Sequence, residues 1–367
     1  MEDRINMNVL FICGYTAEYK GNFIECLTQL DIAMHGKQQA CYIFPPEAKD
    51  KEWVNELQIA GAKVYFNTNS ILGEYRLQNQ ICKEHKIDII YHHFWNLKDC
   101  IANRLLKIKY PKLKMVIHHH NEYHISNSKR NEILKHWILD ADMHIGCGEY
   151  VSKEVIEAGF RNVKWVDNCI EFSRLDCHEP YDMGLGLNLL TFSSYSYEAK
   201  GIDISIKACF EARKQGVPVN LFIAIATKWE EMKQKIAEEC KRLNGAIPEW
   251  IKLLPPRSDI ATYYRAADAY LNSSRTEGFC YASVEAVYCG AQIIQSNHPG
   301  NHLDIPRTLI CSIGNVGECV NAIEELCQRK KDGEIKEDHI IQKKYILDNY
   351  SISTWTKKVA EELTALM

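Results

Sequence analysis

The sequence predicts an α/β protein built of two doubly wound parallel-sheet domains. Three observations carry that reading. Short apolar runs alternate with amphipathic stretches along most of the chain. A stretch punctuated by Pro180, Gly184 and Gly186 interrupts the alternation. A length of 367 residues leaves room for two domains of ordinary size. The expected divisions are a first domain over 1–170, a linker over 171–186, a second domain over 187–345 and a C-terminal helical segment over 346–367.

In the first domain, 8–13 (Asn-Val-Leu-Phe-Ile-Cys) is a continuous apolar run followed by turn chemistry, which suits a strand buried on both faces. A glycine loop from Gly14 to Gly21 leads into an amphipathic helix over 22–35. Further strands are expected at 39–44, 63–66, 87–91, 114–117, 141–146 and 162–166, with helices near 51–60, 74–85, 99–108 and 152–158. Two strands end in histidines, His92-His93 and His118-His119-His120. Carboxyl ends of strands are where such sheets bind ligands. A metal site drawn from His92, His93, His118 and His120 is one reading of them, and histidines that merely line a wall are another. Against metal, neighbouring strand residues point to opposite faces, and no carboxylate stands at a supporting spacing.

In the second domain, strands are expected at 187–192, 219–226, 250–254, 266–271 and 291–295. Helices are expected at 202–215, 229–243, 259–266, 281–289, 316–329 and 354–366. The most informative stretch runs from Leu271 to Gly290. An apolar strand meets the polar loop 272–276, then Glu277-Gly278, then a helix from Tyr281 that Gly290 stops. The unpaired N–H groups of that helix start favour a phosphate-sized anion. Glu285 lies about one turn into the helix, and a carboxylate can accept both hydroxyls of a vicinal diol. A surface helix with two solvated carboxylates is the plainer alternative.

Composition narrows the classes. Apolar residues make up 46% and charged residues 25%, as in a globular chain with a real core, and a net charge of −4 does not point to nucleic acid. Apolar runs fall far short of the ~20 residues of a membrane span, and no signal peptide is visible, so a cytoplasmic protein is expected. The fifteen cysteines show no C-x-x-C spacing and read as reduced core thiols, not a zinc ribbon. Residues 98–136 hold nine Lys and Arg against Asp99, Glu122 and Glu132, which is either a solvated face or a contact for an anionic membrane.

Glu277-Gly278-Phe279 with Glu285-Ala286, inside Asn-Ser-Ser-x-x-Glu-Gly-Phe, Val-Glu-Ala and Gly-Ala-Gln-Ile-Ile-Gln-Ser-Asn, resembles the E-x7-E motif of retaining GT-B glycosyltransferases of the family 4, glycogen-synthase-like group. Asp167-Asn168-Cys169-Ile170-Glu171 is similar to that group's Asn-Gly-Ile/Val-Asp at the domain crossing, with Cys169 in place of glycine. The resemblance implies the GT-B fold, two Rossmann-like domains facing a cleft. It implies transfer of a sugar, with retention, from a nucleotide-diphosphate sugar to a glycan or lipid-linked acceptor. A UDP-sugar is favoured over a GDP-sugar, and no cofactor or metal is expected.

Residue roles follow from the same resemblance. Glu277 and His120 are the catalytic candidates. Glu277, with the N–H groups of Gly278, Phe279 and Cys280, would hold the donor sugar, and Glu285 the ribose. Lys200 and Gly201 fit the phosphate loop, Pro256 and Arg257 the nucleobase loop, and Gly21 the first glycine loop. Asn121, His93 and Glu122 would line the acceptor side with His120. The last helix of such proteins crosses back onto the first domain. Two departures stand out. Ser194-Tyr195 replaces the usual Gly-Arg of the phosphate loop, and Ala224-Ile-Ala replaces a Gly-x-Gly. Arg257 or Arg275 could supply the missing cation, or Lys200, hydroxyls and helix N-termini could suffice. A nucleotide-sugar epimerase and a weakly active nucleotide-sugar-binding module remain as alternatives.

Overall fold

The computed structural model describes residues 7–121, 123, 128–176, 179–193, 196–257 and 259–367. Two compact units emerge, one running up to Glu171 and regaining Ile352–Met367, the other Phe172–Ser351.

The first unit is built on a seven-stranded parallel sheet. Its strands are β1 (Val9–Ile12), β2 (Cys41–Phe44), β3 (Lys63–Phe66), β4 (Ile89–His92), β5 (Lys114–His119), β6 (Met143–Gly146) and β7 (Val163–Trp165). Their order is β3-β2-β1-β4-β5-β6-β7. Helices α1 (Asn22–His35), α2 (Glu52–Ile59), α3 (Ile71–His85), α4 (Leu97–Lys109), α5 (Lys129–Leu139) and α6 (Glu149–Glu157) alternate with the strands. Every residue of β1 is buried, as its unbroken apolar run requires, and Leu10 pairs with both Cys41 and Ile90. Caps mark the helix starts: Ser70 Oγ accepts the Gly73 N–H at 3.0 Å, and Asn96 Oδ1 the Asp99 N–H at 3.1 Å. The sheet order reverses between β1 and β4, so the crevice of this unit opens beyond the carboxyl ends of those strands.

The second unit repeats the scheme with six parallel strands in the order β10-β9-β8-β11-β12-β13. They are β8 (Leu187–Ser193), β9 (Val219–Ile225), β10 (Ile251–Leu254), β11 (Ala269–Asn272), β12 (Gln292–Ser296) and β13 (Leu309–Cys311). Helices α7 (Ile202–Lys214), α8 (Trp229–Asn244), α9 (Ala261–Ala266), α10 (Tyr281–Cys289), α11 (Val316–Asp332) and α12 (Ile335–Tyr350) surround them. Here the order reverses between β8 and β11. Residues 172–186, expected as part of a linker, belong to this unit. Phe172 and Leu175 are buried in a 3₁₀ turn, and Phe172 stacks on Tyr288 at 4.7 Å. Apolar side chains ahead of Pro180, and Met183 after it, give that segment something to bury.

The last helix, α13 (Ile352–Leu366), belongs to the first unit. It packs on α1 and buries Ile352, Trp355, Val359 and Leu363 in a core shared with Phe11, Tyr42 and Tyr91. The spacing of three or four residues puts all four on one helical face.

Three elements were not expected. Helix α5 escaped because Ile133, Leu134 and Trp137 are exposed, so its apolar residues do not mark the buried face. Helix α12 buries Asp338, Gln342, Ile346 and Tyr350, a stripe half of which is polar. Gln342 donates to the Pro306 carbonyl at 2.9 Å, and Asp338 meets Arg329 at 3.4 Å. Strand β13 is only three residues long, too short for a periodic signal.

Candidate functional site

The second unit brings its polar residues to the β8–β11 reversal. After β8, the turn at 197–200 ends in Gly201, whose φ of 63° lies in the left-handed region. A Cβ there would also strike the Ser273 carbonyl, so glycine serves twice. Ser273 Oγ donates to the Gly201 carbonyl at 2.7 Å and lies 2.6 Å from Ser205 Oγ. These contacts clamp the loop after β8 onto the loop after β11.

The second clamp joins the loops after β11 and β12. Asn272 donates to Asn301 Oδ1 at 2.8 Å, Asn301 to the Ser296 carbonyl at 2.8 Å, and Ser296 to the Ser274 carbonyl at 2.6 Å. A Cβ on Gly300 would fall on the carbonyl oxygen of Glu277. Only glycine lets this turn press against the Glu277 main chain.

So held, Glu277 accepts a charged hydrogen bond from Lys200 Nζ at 2.6 Å. Burial works to lower the lysine's pKa, but the Glu277 carboxylate outweighs it and the net shift is upward, so Lys200 stays an ammonium. The next three residues lead into α10, with Cys280 at its N-cap. The main-chain N–H groups of Gly278, Phe279 and Cys280 donate to no acceptor among the described residues. The Phe279 ring packs edge-on against His302 and Tyr350, at 4.3 and 5.6 Å, and His302 Nε2 lies 3.1 Å from the Cys280 carbonyl. Burial, then the charge of Glu277, lifts the Cys280 thiol to about 11, so it stays protonated.

Glu285, buried in the second turn of α10, accepts the Tyr264 hydroxyl at 3.0 Å and pairs with Arg174. Burial first, then Cys280 once its thiol ionises, and the charges of Glu277 and Glu285, raise the Tyr270 phenol well above its usual value. Both carboxylates therefore act on one ring of β11. Tyr264 and Arg174 were missed in the sequence because they lie 21 and 111 residues from Glu285, beyond any local pattern.

The candidate replacement cations are committed elsewhere. Arg275 makes a bidentate pair with Asp203, both contacts at 2.8 Å, and Arg257 one with Asp259 at 2.7 and 2.8 Å. Arg257 and Pro256 stay in the exposed loop after β10. Ser194 and Tyr195, which depart from the phosphate-loop pattern, lie outside the described residues, as does Glu122.

The other expected residues lie in the first unit. Gly21 is the N-cap of α1, and a Cβ there would meet the Tyr15 hydroxyl. His93 and His120 are buried near the carboxyl ends of β4 and β5, and Asn121 is exposed beside them. His120 and Asn121 help line a cavity of about 220 Å³ with Trp95, Tyr123 and Lys135. Burial lowers His120 to about 3, so it is a neutral imidazole at ordinary pH. Asn168 and the His93 main chain lie close enough to favour its charged form slightly, yet neither makes a well-formed hydrogen bond to its ring. The four-histidine set considered from the sequence loses His92, which turns away to bond Asn103.

Two doubly wound parallel sheets in one chain, one with a lysine–glutamate pair and a row of unused main-chain donors at its reversal, define a protein of GT-B fold. Residues 186–329 match the family model described as Glycosyl transferases group 1. A glycosyltransferase from Rickettsia africae has the same fold, with a TM-score of 0.80, 16% identity, and coverage of 98% of this chain and 99% of that one. Anabaena HepE in complex with UDP aligns with a TM-score of 0.78 and 18% identity over 98% of this chain and all of that one. A human relative, one subunit of phosphatidylinositol N-acetylglucosaminyltransferase, is 24% identical over 288 residues, 73% of this chain and 56% of that protein. The chain thus spans little more than half the length of the curated relative it matches. The class is a protein of GT-B fold whose residues 186–329 are similar to the group 1 glycosyltransferases.

Proposed function

We propose that this protein is a retaining glycosyltransferase that moves a sugar from a nucleotide-diphosphate donor, with UDP favoured, to a glycan or lipid-linked acceptor. The observation that carries the reading is the Lys200–Glu277 pair beside three unused N–H donors at the start of α10. A diphosphate offers the anion that both the ammonium and the N–H row require. As it draws Lys200 away, Glu277 is released to accept hydroxyls of the donor sugar. Glu285, already fixed by Tyr264, takes the ribose diol. No ligand set for a divalent cation is called on, because Lys200 and the helix start carry the charge. The HepE complexes with UDP and UDP-glucose support the choice of nucleotide.

In the proposed reaction the anomeric carbon–phosphate oxygen bond breaks and a bond to the acceptor oxygen forms on the same face. The departing phosphate oxygen takes the acceptor's proton. This differs from retaining hydrolases, where a second carboxylate is the nucleophile. His120 and Asn121 are proposed to hydrogen-bond the sugar or the acceptor.

A membrane-resident acceptor fits the first unit. Leu105, Ile108, Ile133, Leu134 and Trp137 are exposed on the neighbouring helices α4 and α5, among Lys and Arg side chains, and Arg104 stacks over Trp137 at 5.7 Å. Apolar wedges among cations suit peripheral binding to anionic lipid at the inner face of a membrane. Among the described residues no helix is long and apolar enough to cross one.

The test is a thermal-shift screen with UDP, GDP, ADP and their sugar conjugates, with and without EDTA, followed by product analysis with no acceptor present. A ligand that binds only the folded state raises its apparent stability. A shift with one nucleotide, indifferent to EDTA, is expected. No shift with any of them overturns the reading, and conversion of donor to an isomer without acceptor marks an epimerase.

A further inference from the structure

We propose that His93, His118 and His120 form a binding site for one divalent transition-metal ion, with zinc the best match. His118 lies in β5, His120 stands two residues further on, and His93 follows the adjacent strand β4. A spacing of two on a strand puts His118 and His120 on one face. Their ring centroids are 4.1 Å apart, and His93 stands 4.4 Å from His120 and 5.3 Å from His118. One nitrogen from each ring lies within 4.8 Å of the others. A tetrahedral zinc ion needs roughly 3.4 Å between its nitrogens, so the rings must close by little more than 1 Å.

Convergence of the rings together with polar accounting separates this cluster from rings that are merely packed. Nδ1 of His93, Nε2 of His118 and both nitrogens of His120 have no hydrogen-bond partner among the described residues. Yet the three residues are only 1%, 1% and 9% exposed. An orphaned buried polar atom forfeits the hydrogen bonds it made to water, and folded proteins rarely gather several at one point. An ion that takes one lone pair from each ring offsets that cost. His92 and His119 alternate to the other face, where His92 Nε2 bonds Asn103 and His119 Nε2 lies 3.0 Å from His144 Nδ1. Nδ1 of His92 has no partner among the described residues either, but it stands outside the group of three rings.

The surroundings suit an ion. Tyr91 Oη lies 2.9 Å from His118 Nδ1, the support that metal-binding imidazoles receive on the nitrogen facing away from the ion. Phe23, Phe94 and Trp355 wall the cluster on the sides away from the cavity's other lining residues. A set of three imidazoles without carboxylate selects zinc, nickel, cobalt or copper over magnesium or calcium. His120 and His118 also border the 220 Å³ cavity, which leaves the fourth position open to water or a small anion.

Binding does not depend on the transferase reading. Only one consequence does: an ion holding the His120 nitrogen withdraws it from sugar or acceptor, so zinc would inhibit transfer.

The test uses the full chain stripped with EDTA and titrated with Zn²⁺ by calorimetry and Co²⁺ by absorption. One equivalent is expected, with a visible Co²⁺ spectrum of tetrahedral intensity and no near-ultraviolet thiolate band. His93→Gln, His118→Gln and His120→Gln should each weaken binding by about 100-fold or more, and His92→Gln should not. If a deeply buried variant fails to fold, His120→Gln at the cavity edge still decides the matter. No uptake, uptake unchanged in His120→Gln, or a thiolate band overturns the proposal. The UDP thermal shift of each variant reports separately on the second unit, so failure of the donor reading is distinguishable.

Discussion

The two units use the same topology to make opposite kinds of site. Each sheet reverses its strand order once, and each gathers polar residues at the carboxyl ends of the strands flanking that point. In the second unit almost every side chain there is spoken for: Lys200 by Glu277, Glu285 by Tyr264 and Arg174, Asn272 by Asn301. In the first unit four histidines carry nitrogens unpartnered among the described residues, and three of them, His93, His118 and His120, converge inside an aromatic shell. A preorganised network holds a fixed charge pattern for an anionic ligand without reorganising. A set of lone pairs awaits something that comes to it. Topology therefore locates both sites, while the hydrogen-bond accounting tells them apart.

The sharpest way to break the contrast is Glu277→Ala. It should lower kcat/KM for transfer by about 10²–10³-fold or more, with circular dichroism unchanged; unaltered turnover would remove Glu277 from the site. Next is Trp355→Ala, which should cost the first unit about 3–5 kcal/mol in denaturant unfolding while the nucleotide-induced shift of the second unit survives. Gly300→Ala should cost about 1–3 kcal/mol and weaken donor binding together, because the new Cβ displaces Glu277. Affinity for nucleotide left intact in that variant would show that the turn does not position the carboxylate. Tyr264→Phe removes one hydrogen bond to Glu285 and should raise the nucleotide Kd by about 5–15-fold, read by calorimetry.

The smallest effect concerns pH. Burial, partly opposed by Asp304, lowers His302 to about 4. The unfolded chain takes up its proton near 6.5, so this histidine costs the second unit stability as pH falls from about 6.5 towards 4, and nothing above that window. His302→Gln should flatten that part of the acid slope in hydrogen exchange of α10; an unchanged slope would assign it to other groups.

Much of this was readable from residue order alone, for definite reasons. Strands buried on both faces leave unbroken apolar runs such as Val9–Ile12, and the reversal at 271–290 is local, so its loop, glycine stop and both carboxylates stand together in sequence. The buried stripe of α12 was not readable because half of it is polar. Nor were the partners of Glu285, the fit of Gly300 against Glu277, or the convergence of His93, His118 and His120 away from His92. Those depend on contacts between distant segments, which no local period encodes.

The return of α13 has a consequence for biogenesis. The first unit's core is closed by Trp355, Val359 and Leu363, which are synthesised after the whole of Phe172–Ser351. On the ribosome, the N-terminal sheet must wait with an uncovered apolar groove while the second unit, continuous in the chain, folds to completion. The usual N-to-C order of domain folding is thus inverted. A nascent chain stalled before Ile352 should expose to chaperones the face of α1 and the His93 and His118 rings that α13 covers.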